Sequence, residues 1–238
     1  MYSKPLLPVF FFLSLTTSLF AQTSIGVEGG LSYNSYQTNI ANRAATSLSN
    51  EAGFSFAFPV RYQVCSWLYV LAAPGLVQKG YSMNRTDSLS GEYDQHANTY
   101  IQLPIGFSLT HDWGRLRGGL DAGVYAGYWL YGRVKGKTAD IFGSTGASGS
   151  EQFQLTAYSE SYSFNAQQDN RRELGWWVGP SLRCRLTDAW WLTADAHYYQ
   201  ALTSQEKAPE SAIPAYNRTW IFSLGGAWSV PNSKSRRR

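Results

Sequence analysis

The chain has 238 residues, a formal charge of +4, 16 % aromatic residues and only 15 % charged residues, against about 25 % charged in an ordinary soluble domain. Its mean hydropathy is −0.29, and every apolar run after residue 20 is interrupted by Gly, Asp, Arg or Gln, so any membrane passage must use strands rather than helices. The basic excess does not point to nucleic acid, because much of it sits in Lys234, Arg236, Arg237 and Arg238 at the terminus.

Met1 to Lys4 carries a positive charge, and residues 6–20 are mostly apolar. That pairing predicts a cleavable export signal over residues 1–21, with Ala21 at the cut and Gln22 as the new N-terminus. About 15 apolar-rich residues fall short of the roughly 20 that a spanning helix needs. Residues 22–230 are then read as one β-barrel domain and residues 231–238 as a basic tail.

Alternation begins at once. Residues 24–34 place Ile25, Val27, Leu31 and Tyr33 on one face and Glu28 on the other. From residue 53, Phe54, Phe56, Phe58, Val60 and Tyr62 alternate with smaller or polar residues that include Arg61. Residues 67–80 have no clear phase, since Leu68, Val70 and Leu76 compete with Tyr69, Leu71 and Val77. Residues 100–109 are the clearest strand, with Ile101, Leu103, Ile105, Phe107 and Leu109 sharing one face. The fifth strand starts at Leu116 and is the longest; Leu120, Val124, Tyr128 and Leu130 face one way, Arg117, Asp121, Tyr125 and Trp129 the other.

A Gly/Ser/Thr-rich connection is expected over residues 132–171, then strands over 172–186, 190–199 and 218–230. Short joins near Cys65, Asp112 and Asp188 alternate with long polar ones, which is the signature of periplasmic turns and extracellular loops. The expected fold is therefore all-β, an eight-stranded antiparallel transmembrane β-barrel with both termini on the periplasmic side. A soluble barrel of lipocalin type is opposed, because the Gly-rich charged face could not form its core while Phe54, Phe56 and Phe58 would stand in water.

The inward rows carry Glu28, Arg61, Arg117, Asp121, Glu173, Arg183, Arg185 and Asp195, with His197 beside them. A barrel of eight strands is only wide enough for side chains to fill. These charges are thus read as an interior polar network that rigidifies the barrel, in preference to a cavity or proton path. Cys65 and Cys184 fall on distant strands, so no disulfide is expected. His96 and His111 have no second ligand at metal-like spacing, and no nucleotide or metal motif appears, so neither cofactor nor metal is expected. Trp176-Trp177 and Trp190-Trp191 could be read as a carbohydrate-stacking platform, but alternate facing makes their outward members interfacial girdle residues. Tyr158, Tyr162 and Phe164 in the long connection leave open whether it adheres to a partner or is simply solvated.

Three motifs in order, Gly26-Val27-Glu28-Gly29-Gly30-Leu31, Tyr100-Ile101-Gln102-Leu103-Pro104-Ile105 followed by Gly118-Gly119-Leu120-Asp121-Ala122-Gly123, and Leu192-Thr193-Ala194-Asp195-Ala196-His197-Tyr198, resemble the outer-membrane β-barrel family of Bacteroidota that includes PorT-like proteins. That resemblance covers essentially the whole chain after the signal. It implies an outer-membrane barrel without assigned activity, some relatives of which serve protein secretion or gliding. Chains of this kind commonly stop at an aromatic residue, whereas here residues 231–238 continue past Trp228. The expected partners are outer-membrane lipids, the barrel assembly machinery and a protein on either side of the membrane.

The alternative from another class is a lipid A-modifying enzyme. Lipid A deacylases look like a barrel with a His-x-Ser pair near a strand end, but His197-Tyr198-Tyr199 puts Tyr199 where that nucleophile would stand. The expected role is structural or binding, without catalysis.

Overall fold

The computed structural model describes residues 23–38, 45–86, 90–140, 154–207 and 214–229. The expected signal and basic tail lie outside them. Eleven strands are described: β1 (Thr23–Thr38), β2 (Thr46–Ala57), β3 (Val60–Cys65), β4 (Leu68–Ala72), β5 (Gly75–Arg85), β6 (Tyr93–Trp113), β7 (Leu116–Asp140), β8 (Gln154–Ser161), β9 (Arg172–Arg185), β10 (Trp190–Ala201) and β11 (Ala215–Ser229). They fill eight positions around a ring, because β2 with β3, β4 with β5, and β8 with β9 each share one position.

Two of those interruptions have a covalent cause. Pro59 and Pro74 lack the N–H that a ladder needs, so the chain breaks there, yet their carbonyls still accept from Gly26 N and Phe58 N at 2.8 and 2.9 Å. The third is an insertion of residues 162–171 between β8 and β9. All neighbours run antiparallel, and β1 closes on β11 from Ser24↔Ser229 to Thr38↔Ala215. Closure pairs the ring all the way round, as the hydrocarbon interior demands; among the described residues β8 pairs only with β7.

The polarity is inverted relative to a water-soluble fold. Leu31, Phe107 and Leu224 are 66, 58 and 67 % exposed on the outside, whereas Asp121, Arg61 and Asn34 are buried within. The ambiguous third strand resolves with Tyr69, Leu71 and Val77 inward and Leu76 outward. The hydrophobic runs alone could not decide this, because both rows are apolar.

Strands reach beyond the predicted ends at the long-loop side. The stretch before residue 53 belongs to β2 from Thr46, and β6 starts at Tyr93 rather than near Tyr100. Residues 132–171 are not one open connection: β7 continues to Asp140 and pairs back with β8, from Arg133↔Ser161 to Asp140↔Gln154. No lipid presses on this extension, so it needs no apolar row and left none in the sequence. A register shift opposite Thr99 and Tyr100 leaves Leu130 without a partner on β6, and it reverses the facing of β7. Trp129 points in, while Leu130 and Tyr131 are both exposed.

Gly106 and Gly123 sit opposite each other on β6 and β7. A Cβ on Gly106 would lie 2.2 Å from the Ala122 carbonyl oxygen, and one on Gly123 would lie 2.1 Å from that of Ile105. Any larger residue at either place would force the two strands apart. Cys65 and Cys184 are both free thiols, as their distant strands require.

Candidate functional site in the barrel interior

The interior charges fall into two buried layers and a rim. In the layer nearer the short turns, Arg61 on β3 reaches across the barrel: its Nη1 donates to Asp121 Oδ2 at 3.0 Å and its Nη2 to Asp195 Oδ2 at 3.5 Å. Asp121 Oδ1 accepts from Ser108 at 2.5 Å and from Ser181 at 2.9 Å, so this carboxylate is held from three directions. Glu28 Oε1 accepts from Thr193 at 3.2 Å. Arg183 is buried within electrostatic reach of Arg61, Glu28, Asp121 and Asp195. His197 Nε2 stands 3.5 Å from Asp121 Oδ2.

The second layer lies nearer the long loops. Lys79 on β5 bonds Glu173, which also accepts from Tyr125 OH at 2.9 Å and from Asn217 Nδ2 at 2.7 Å. The Lys79 ammonium lies 5.0 and 5.1 Å from the ring centres of Tyr100 and Tyr125, which replace part of its lost hydration. Between the two layers, Leu71, Trp177, Tyr199 and Ile221 pack as an apolar seal with Tyr125 and Tyr100.

Arg117 and Arg185 stand apart from both layers, a correction to the single network expected from facing alone. Arg117 forms a two-point pair with Asp112 at 2.5 and 3.0 Å, bonds Tyr69 OH and stacks on Trp191 at 4.9 Å. Arg185 is exposed, with its guanidinium 6.0 Å from the Trp191 ring. Both lie at the short-turn rim, because alternation sets the side of the sheet and not the depth. Lys79 is the reverse case. It is 1 % exposed yet absent from the predicted inward set, whose four arginines already balance its four carboxylates.

The insertion between β8 and β9 folds back into the mouth of the barrel. Tyr162 stacks on Trp129 at 5.0 Å, and Phe164 meets the same indole edge-on at 4.9 Å. Arg171 covers Phe164 at 4.0 Å, while Asp169 ties the segment by accepting from Tyr162 OH and Asn165 N at 2.8 and 2.6 Å. Tyr162 and Phe164 therefore cap the interior, and the open choice between adhesion and solvation does not apply to them. Tyr158 is engaged as well, donating to Asp94 on β6.

Above the lipid-facing band, His96 stacks on Tyr81 at 4.6 Å, and Tyr81 stacks on Tyr36 at 4.0 Å. Burial lowers the His96 pKa below its ordinary 6.5, with Asp94 opposing. The neutral ring is the form that packs, so its contribution to stability is complete above 6.5 and is lost as pH falls through the lowered value. Protection factors across residues 93–99, that is, exchange rates corrected for the intrinsic pH dependence of amide exchange, are expected to fall as pH is lowered from neutral through the depressed His96 value. The variant H96F should not show this loss of protection.

A closed antiparallel ring with an apolar outside, a polar inside, short turns at one end and long strands at the other defines a small transmembrane β-barrel. The match to the outer membrane protein beta-barrel domain spans residues 20–205, and the chain belongs to that family. It is an outer-membrane protein. No curated protein matches the sequence. Similar solved structures include Neisserial surface protein A, with 11 % identity, TM-score 0.45, 86 % of this chain and 96 % of that one covered. OprG from Pseudomonas aeruginosa is 9 % identical with TM-score 0.47, and the outer membrane protease OmpT from Escherichia coli is 8 % identical with TM-score 0.48; each match covers 87 % of this chain and 96 % of the other.

Proposed function

We propose that this protein is a non-conducting barrel whose work is done at its long-loop end: a rigid membrane anchor that carries a binding surface outside the cell. The observation that supports this reading is the filled interior. Two buried ionic layers, an apolar seal and the Tyr162–Phe164 cap occupy the axis in succession. Among the described residues, side chains of this size, tied across the barrel, fill the axis as expected for a barrel this narrow.

The outward surface lies on the extension of β5, β6, β7 and β8. Arg85, Glu92, Tyr93, Asp94, Lys137 and Tyr158 line a cleft of about 640 Å³ there. Charges of both signs beside two phenols suit a polar partner, such as a protein or a glycan, and the apolar outer wall suits outer-membrane lipid. The PorT-like affiliation within the family is carried by the order of the three motifs quoted above, and it extends the reading to an accessory role in secretion. A deacylase-type reaction on lipid A gains no support, because His197 and Tyr199 are buried inside the barrel and away from the bilayer.

Planar-bilayer recording tests the central claim. The folded protein, verified by a heat-dependent shift in gel mobility, is expected to give no unitary openings in concentrated KCl. Regular openings in the wild-type protein would sink the proposal. A variant with the cap and seal reduced, Y162A with W129A, should show more frequent conductance events than wild type.

A further inference from the structure

Asp121 on β7 and Asp195 and His197 on β10 come together inside the barrel, with one ligand atom from each lying within 4.8 Å of the others. Asp195 and His197 are two residues apart on one strand and so share a face, while Asp121 reaches them across β9. We propose that these three residues form a binding site for one divalent first-row transition cation, zinc in the first instance.

Three observations carry this beyond mere proximity. Arg61 takes Oδ2 of both aspartates, and this leaves Asp195 Oδ1 with no nitrogen or hydroxyl donor, only the Glu28 carboxyl beside the group, although the residue is 95 % buried. His197 Nε2 likewise makes no hydrogen bond, and its 3.5 Å approach to Asp121 Oδ2 is an ion pair only when the ring is protonated. That separation is instead close to the edge of a coordination tetrahedron. Bonds of about 2.0–2.2 Å to nitrogen and oxygen put neighbouring ligand atoms roughly 3.4 Å apart.

The surroundings fit a metal centre in two further ways. Asp121 is oriented by Ser108, Ser181 and Arg61, as outer groups orient a ligating carboxylate. Each carboxylate oxygen has two acceptor sides, so Arg61 and a cation can share Asp121 Oδ2. His197 binds a metal as the neutral imidazole. One imidazole with two carboxylates, and no thiolate, selects a borderline cation such as zinc or cobalt over calcium or copper(I). Bound there, the ion would staple β7 to β10 across β9.

The test uses the full-length protein unfolded in urea and refolded into detergent with zinc or cobalt, because the layer is sealed once the barrel has closed. Folding is verified by the heat-dependent gel shift, and excess metal is removed by gel filtration before elemental analysis. The expected result is one zinc per folded barrel, falling about tenfold or more in D195N and H197Q and unchanged in D112N at the rim. Cobalt-loaded wild type should show the intense visible bands of four-coordinate cobalt. Folded wild type that retains no zinc, or folded D195N and H197Q that retain as much as wild type, overturns the site. If a variant does not fold, the cobalt spectrum decides: weak bands like those of aqueous cobalt also overturn it.

Discussion

Replacing Arg61 with methionine is expected to destabilise the barrel by about 3–5 kcal/mol, the largest loss from any single interior substitution. Arg61 is 2 % exposed and is the only side chain bonded to both Asp121 and Asp195 among the described residues. Its removal leaves two carboxylates facing one another in a layer sealed by Trp177 and Tyr199. The serines on Asp121 can still donate, but neither brings positive charge.

The experiment is urea unfolding in detergent with a chelator present, followed by tryptophan fluorescence and by the heat-dependent gel shift. R61M with D121N should lose less than the sum of the single variants, since each change relieves the stress left by the other. A loss in R61M below about 1 kcal/mol would mean that water reaches the pair and screens it as on a surface, contrary to the sealed interior.

Placing arginine at Ile105 is expected to cost about 2–4 kcal/mol of folding into bilayers, while the same change at Trp113 should cost about 0–1 kcal/mol. Ile105 stands at the centre of the outward row from Ile101 to Leu109, and it is 46 % exposed to what is hydrocarbon in the membrane. Arginine there has no aqueous boundary within reach of its side chain. Trp113 ends β6 at the short turn, where an arginine head meets the headgroups. Equal costs at the two positions, measured by reversible folding into lipid vesicles, would contradict the assigned band.

Much of the barrel was legible in the residues because bilayer and interior make opposite demands on alternate positions. Phe54, Phe56 and Phe58 on one row with Arg61 on the other leave one workable arrangement, and a single inward charge such as Asp121 then needs a partner. The same logic failed wherever one of the two demands was missing. Residues 67–80 are apolar on both rows, so Lys79 was not assigned to the inside. The upper parts of β6 and β7 and all of β8 stand above the lipid, so no hydrophobic row announced them. Tyr162 and Phe164 lie in a segment without strand periodicity, and only packing on Trp129 shows which way they turn.

What the sequence determined by itself is the class of fold, the number of strand positions and the face on which most side chains lie. These follow from a period of two residues, which is a local property of an extended chain. Depth and azimuth were decided only by the tertiary structure. They depend on how far each strand is staggered against its neighbours and on which strand stands opposite which. Hence Arg117 and Arg185 came out at the rim, Glu173 joined Lys79 in a layer of its own, and Asp121 met Asp195 and His197 across an intervening strand. A contact between residues on strands that do not pair leaves no periodic trace in the chain. It exists only once the ring has closed.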